Sequence, residues 1–280
     1  MSQAVTKIKS RIKSVSGAYK VTSAMKLVST VKLKQWKGKM ISHKEYLNEV
    51  NEIVDLLLKH AQNSDSPFMK INENATKNLY VIITSTLGLC GSYNNNIFKL
   101  ADNLSLDNDD VIILGRKGMA HYQNANFNKI SGFEEYASID NTDLVNELTN
   151  LILNEYQKET YKEIHIIYSE YKNSIVFFAK DYKLLPFTRE IKEVEEYPPI
   201  MEPNAKELVN TIIPFYLRSA IYSKLLESEV CEQGARSNAM ENATNNAKEL
   251  LDELNVEFNK ARQNAITQEI TEIVAASKAI

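Results

Sequence analysis

Apolar residues recur at helical spacing at both ends of the chain and as short continuous runs across its middle. Val5, Ile8, Ile12, Val15 and Tyr19 step by three and four near the start. Met240, Ala243, Ala247, Leu250, Leu254, Phe258, Ala261, Ala265 and Ile266 do the same near the end. The first pattern runs on past Met25, Leu27 and Val28 and predicts a helix ending near His60; the second predicts a helix from about Pro214 to Ala279. All 6 prolines lie between Pro67 and Pro214, so neither end contains the strongest helix breaker. Each helix carries a seam that needs a partner, and an antiparallel coiled coil of the two ends satisfies both.

The middle reads differently. After the Asn63–Pro67 stretch, Leu79–Thr84 and Val111–Leu114 are short apolar runs rich in β-branched residues, the mark of buried strands. Glu163–Tyr168 and Ser174–Phe178 predict two more, separated by Glu170–Asn173 and paired as a hairpin at one edge. Helical patterns at Asn95–Leu104, Lys117–Asn124 and Thr142–Gln157 alternate with them, which implies a mostly parallel sheet with helices on its faces. The fold class is α/β: a long antiparallel coiled coil of terminal helices plus a central Rossmann-like domain. The expected segments are 1–62, 75–195 and 205–280.

Charge sharpens the picture of the first helix. From Met1 to Lys44 eleven residues are basic and none is acidic, whereas the remainder holds 22 basic against 36 acidic residues. Such an arm can be a presequence, a nucleic-acid binder, a helix that docks on acidic protein surfaces, or a solvated face. The apolar pattern continuing past Met25 weakens the first reading. The second lacks interleaved aromatics beyond Tyr19 and Trp36, and no groove-reading motif accompanies it. Docking on an acidic protein surface fits best. With 280 residues and 44% apolar content, the chain can bury one sizeable core besides the coiled element. No apolar run approaches the roughly 20 residues of a membrane span. Cys90 and Cys231 form neither a disulfide framework nor a zinc pattern, which suggests a reducing compartment.

Candidate chemistry is sparse. Gly88-Leu-Cys-Gly91 follows the first strand, where an open α/β sheet binds ligands, but it lacks the third glycine of a dinucleotide fingerprint. A tight strand-to-helix turn accounts for it, with Cys90 buried as a small hydrophobe. No phosphate-binding Gly-Lys-Ser/Thr sequence occurs. His43, His60, His121 and His165 are scattered, without metal-binding spacing, and the acidic clusters Glu134-Glu135 and Glu193–Glu196 lack a neighbouring nucleophile. The chain reads as non-catalytic, with no cofactor and no metal.

Both ends carry longer motifs. Ile8-Lys-Ser-Arg-Ile-Lys-Ser-Val15 and Lys20-Val-Thr-Ser-Ala-Met-Lys-Leu-Val28 resemble the opening helix of the gamma subunit of F-type ATP synthases. Tyr222–Glu229, Glu232–Ala247 and Asn259–Val274 resemble its closing helix, and the Gly88–Gly91 turn resembles the family's glycine-cysteine turn. The likeness covers the whole chain in order. It departs where the family has an acidic-arginine pair before the glycine turn and this sequence has Thr86-Leu87.

The resemblance implies a central rotor shaft, turning inside a ring of alpha and beta subunits that make or hydrolyse ATP. The foot would lie against the epsilon and delta subunits and a membrane ring of c subunits that carries protons. It implies peripheral attachment at the cytoplasmic face of a bacterial cell membrane, with no nucleic acid. A shaft of a divergent rotary ATPase not coupled to protons, or a coiled-coil scaffold, stays open. By position, Met25, Arg262, Gln263 and Thr267 match family residues near the contact with beta-subunit loops, and Met25 is expected close to Arg262 and Gln263. Ile8, Ile12, Val15, Arg236, Met240, Leu254 and Phe258 are expected to pack the coil, and Tyr197–Pro203 to approach the membrane ring.

Overall fold

A computed structural model of the chain describes residues 3–60, 66–104, 106–133, 136, 138–140, 142–174, 176–188, 200–202 and 204–278. Two very long helices open and close it: α1, Gln3–His60, and α5, Ala205–Lys278. The α5 helix starts at Ala205, where the expected 205–280 segment begins and nine residues before the Pro214 start that the apolar pattern gave. Asn204 caps it, its Oδ1 accepting the Glu207 amide at 2.9 Å while its Nδ2 donates to Glu207 Oε1. Pro214 then lies inside the helix. A proline there removes one i→i−4 hydrogen bond, and the burial of Val209, Ile213 and Leu217 around it keeps the helix continuous.

The chain divides into two compact units. The first joins residues 1–30 to residues 236–280, and the second runs from Val31 to Ala235.

The second unit is built on a five-stranded sheet. Its strands are β1 (Leu79–Ile83), β2 (Asp110–Leu114), β3 (Asn128–Lys129), β4 (Ile164–Tyr171) and β5 (Phe177–Leu185), in the order β3-β2-β1-β4-β5. The first four are parallel, and β5 pairs antiparallel with β4 at the edge. Every residue of β1 and β2 is buried, as continuous apolar runs require when helices cover both faces. The expected edge hairpin forms. Its second strand, however, begins at Phe177 rather than Ser174 and extends to Leu185, because alternating Lys180, Asp181, Tyr182 and Lys183 hide the strand from an apolar-run criterion. The two-residue β3 was too short to leave any signal.

Helices α2 (Tyr93–Asp102) and α3 (Arg116–His121) cover one face. Ile97 and Ala101 there meet Tyr80, Ile82, Val111, Ile113 and Ile167. The other face packs on α4 (Thr142–Gln157) through Leu148 and Ile152, and on Val54, Leu57, Ile213, Leu217, Leu225 and Leu226 of the long helices. Each fully buried leucine or isoleucine stabilises this core by about 1.5–3 kcal/mol.

Candidate functional site

In the first unit, three side-chain contacts fix how the helices pair. Thr30 Oγ1 lies 2.9 Å from Ser237 Oγ, Lys26 Nζ lies 2.6 Å from Glu241 Oε1, and Thr244 Oγ1 donates to Thr22 Oγ1 at 3.0 Å. As the α1 number falls from 30 to 26 to 22, the α5 number rises from 237 to 241 to 244, so the pair is antiparallel. Continued outward, this register sets Ile12 level with Leu254, Ile8 with Phe258 and Val5 with Ala261. Val5, Ile8, Met240 and Leu254 are buried, and Ile12, Val15 and Phe258 half-buried, which is the alternation of three and four steps expected of a coiled-coil seam. Arg236 is also buried.

The seam differs from the sequence pattern at two places. Leu250 is 37% exposed and Ile266 is 47% exposed. Stepping by four and three from Met240 reaches Leu251 and Ala265 instead, both half-buried. A residue displaced by one position sits about 100° around the helix, so Leu250 and Ile266 fall off the contact line.

The same register separates residues expected to lie together. Met25 is half-buried at the level of Glu241, whereas Arg262 and Gln263 are exposed at the level of the first turn of α1. About twenty residues of α5, roughly 30 Å, lie between these levels. Thr267 is exposed and turns its hydroxyl onto its own helix, to Gln263 O at 3.0 Å. Among the described residues, none of α1 lies opposite the turns of α5 beyond Gln263.

Outside the seam the two helices keep further apolar faces that sequence reasoning did not separate from it. On α1, Val21 and Val28 are more than half exposed, as is Leu27 beside them. On α5, Ile266, Ile270, Ile273 and Val274 form an exposed stripe at helical spacing. Lys7, Lys9, Arg11, Lys13 and Lys20 are exposed on α1 as well. The signal was an excess of apolar positions over what one seam can use; only packing could assign each residue to a face. Exposed apolar stripes bordered by charge are characteristic of protein-binding surfaces.

The sheet's own ligand position is closed. The strand order reverses between β1 and β4, where an open α/β sheet presents a crevice beyond the strand carboxyl ends. Here that place holds an apolar cluster of Cys90 and Tyr93 from the glycine turn and α2, and Cys231 and Ala235 from α5. Cys231 Sγ donates to Ser169 O at 3.4 Å, and burial pushes its thiol well above the usual range. Cys90 is buried as expected, with Asn94 Nδ2 donating to its sulfur at 3.3 Å. Thr86, standing where the resembled family is acidic, donates its hydroxyl to Tyr136 O at 2.8 Å. Among the described residues no group of His, Cys, Asp and Glu is arranged to hold a metal ion.

His43 bonds Ser219 O at 3.0 Å, His121 stacks on Phe98, and His165 sits between two carboxylates, so these histidines have structural partners. Glu134-Glu135, Glu193–Glu196 and most of Tyr197–Pro203 lie outside the described residues.

Comparison with known proteins agrees with this architecture. The family model described as ATP synthase matches residues 4–280. The chain is 36% identical over 283 residues to the ATP synthase gamma chain of Ureaplasma urealyticum serovar 10, covering 96% of this chain and 98% of that one. It is 33% identical over 293 residues to the ATP synthase gamma chain of Ruminiclostridium cellulolyticum, covering both chains fully at 100%. Among solved structures, a chain of the Euglena gracilis mitochondrial ATP synthase rotor superposes with a TM-score of 0.65 at 17% identity. That alignment covers 94% of this chain and 98% of the other, and it shows a shared fold.

Proposed function

We propose, from the premise that this chain belongs to the ATP synthase gamma-chain family, that its paired terminal helices are the central shaft of a rotary ATP synthase or ATPase. The chain is a non-catalytic subunit. Nucleotide chemistry takes place on beta subunits arranged with alpha subunits around the shaft, and rotation couples it to proton transport through a membrane ring of c subunits. Epsilon and delta subunits complete the set of partners. The chain is a peripheral subunit, and among its described residues no helix is long and apolar enough to cross a membrane. The bacterial relatives support a place at the cytoplasmic face of a cell membrane.

One observation carries the shaft reading. The antiparallel seam uses one face of each helix, and Val21, Val28, Ile266, Ile270 and Ile273 leave second apolar faces open beside a row of exposed cations. A rod that must be gripped from outside while holding together inside needs both surfaces. The test is recovery of the tagged chain from its native cells, where it should bring down nucleotide-hydrolysing subunits in stoichiometric amount. The chain purified alone should show no ATP turnover, since the sheet's crevice is filled with side chains and no phosphate loop is present. Turnover approaching that of the whole complex would overturn the reading.

Met25 is proposed as a torque-bearing contact, with Arg262, Gln263 and Thr267 as a second, separate set. Met25→Lys adds a cation beside Lys26. An exposed ion pair with an acidic partner loop contributes about 0–1 kcal/mol, and a partly desolvated charge-assisted contact roughly 1.5–3 kcal/mol. A rotor breaks that contact at each step, so over-stabilising one angular state raises the barrier to leaving it. The expected result is an assembled complex that hydrolyses ATP while pumping fewer protons per turnover. Because Arg262 lies roughly 30 Å along the coil from the level of Met25, Arg262→Ala should add to this effect without coupling to it. Unchanged proton pumping in Met25→Lys would remove Met25 from the torque-bearing set.

A further inference from the structure

On the α2 face of the sheet, two carboxylates close on one imidazole. His165 of β4 stacks beside Tyr80 of β1, with ring centroids 4.9 Å apart at 26°. Its Nδ1 lies 2.8 Å from Asp181 Oδ1 on β5, and its Nε2 lies 3.1 Å from Glu163 Oε2, just before β4. Only 12% of the side chain is exposed. A neutral imidazole has one donor nitrogen and one acceptor, so it would turn a lone pair toward one of the two carboxylates. The imidazolium alone donates to both. The geometry therefore belongs to the charged ring.

The backbone at this point depends on that ring. Ile164 pairs with Leu185 but His165 pairs with Lys183, which leaves Leu184 as an extra residue in β5. A bulge of this kind interrupts the ladder hydrogen bonds. Within the described sheet β5 is an edge strand, with β4 as its one neighbour. Side-chain links thus supplement a weakened ladder. We propose that His165 is a proton-operated clasp: protonated, it ties β5 through Asp181 to the entry of β4 through Glu163, and losing the proton in alkaline solution releases this end of the edge strand.

The surrounding charges agree in sign. Burial pulls the His165 pKa down, but the hydrogen bonds and charges of Asp181 and Glu163 outweigh it and hold the ring above its ordinary value of 6.5. Burial would raise the Glu163 carboxyl, yet His165 and Lys183, whose Nζ is 3.5 Å away, keep it low and ionised. Tyr80 is pushed up to about 12 by burial and by Asp109, Asp181 and Glu163, so it stays neutral while the histidine titrates. Of the two helices on this face, α2 packs on β4 and β5 and α3 on β2, and the charged residues of α2 are Lys99 and Asp102. The contribution of a group with a raised folded pKa is fully present below its unfolded pKa and is lost as pH rises through the folded one. The clasp is therefore closed near pH 6 and opens on the alkaline side.

Two measurements on the full chain test it. Imidazole NMR should show His165, assigned by its absence in His165→Gln, titrating above 6.5, and Asp181→Asn should move that titration downward. Amide exchange of residues 177–185, normalised to intrinsic rates, should lose protection between pH 6 and pH 9 by up to tenfold for each unit by which the folded pKa is raised. In His165→Gln the same segment should show no pH-dependent loss. A wild-type ring titrating at or below 6.5 overturns the clasp, as does an equal loss of protection in His165→Gln. If that variant does not fold, the ring is assigned instead through its bonds to the His165 backbone, and the wild-type titration still decides the question.

Discussion

Gly115→Val is expected to destabilise the α/β unit by about 3–5 kcal/mol, a large share of the roughly 5–15 kcal/mol available to a domain. Gly115 follows β2 with φ of 94°, in the left-handed region where a β-branched residue is a true outlier. A Cβ built there meets Thr84 O at 2.2 Å. The neighbouring atoms cannot give way, because Thr84 Oγ1 donates to Leu114 O at 2.7 Å and accepts the Gly118 amide at 2.9 Å. Backbone strain of about 1–3 kcal/mol adds to overpacking of about 1–3 kcal/mol. The urea midpoint of the purified chain, followed by circular dichroism, measures the loss. Gly38→Ala is the control: nothing lies within 4 Å of the added Cβ on the α1 surface, and helix propensity gives a gain of about 1 kcal/mol. A Gly115→Val loss below about 1 kcal/mol would show that this crossing relaxes more freely than its contacts imply.

Leu254→Asp should open the paired helices without unfolding the sheet. Leu254 is 2% exposed on the seam, level with Ile12, and a carboxylate there is too short to reach water while the helices stay closed. Leaving a charge buried without a partner costs about 3–5 kcal/mol, more than separating one layer of the coil. Exchange protection should fall across residues 3–30 and 240–265 while β1, β2 and β4 keep theirs. In the assembled complex ATP turnover should continue while proton pumping collapses, because a shaft whose strands part cannot carry torque from one end to the other. Retained protection in residues 3–30 would mean that the seam is not what holds the pair.

The long helices were legible because a 3.6-residue repeat sustained over many turns has no rival interpretation, and the absence of proline before Pro67 and after Pro214 agrees with it, although Pro214 itself lies inside α5. β1 and β2 were legible because strands covered on both faces are apolar along their length, with Asp110 at the start of β2 the one charged exception. β5 was partly hidden for the opposite reason. An edge strand can carry Lys180, Asp181 and Lys183, and its charges answer to cross-strand partners such as His165 and Glu163 that lie far away in sequence.

The residues proposed to bear torque show the same limit. Motif position selected Met25, Arg262 and Gln263 together, since a motif preserves order along the chain and carries no register. The pairing of Lys26 with Glu241 and Thr22 with Thr244 sets that register, and it places Met25 far from the other two.

By itself the sequence determined the fold class, the two helices and their need for each other, and the family, because local periodicity and long ordered motifs are properties of the chain read in one direction. Tertiary structure alone decided which apolar residues face inward, why the glycine turn holds Cys90 in a filled crevice, and that His165 stands between two carboxylates. Each of those depends on distances between residues remote in sequence, which are set when the elements pack.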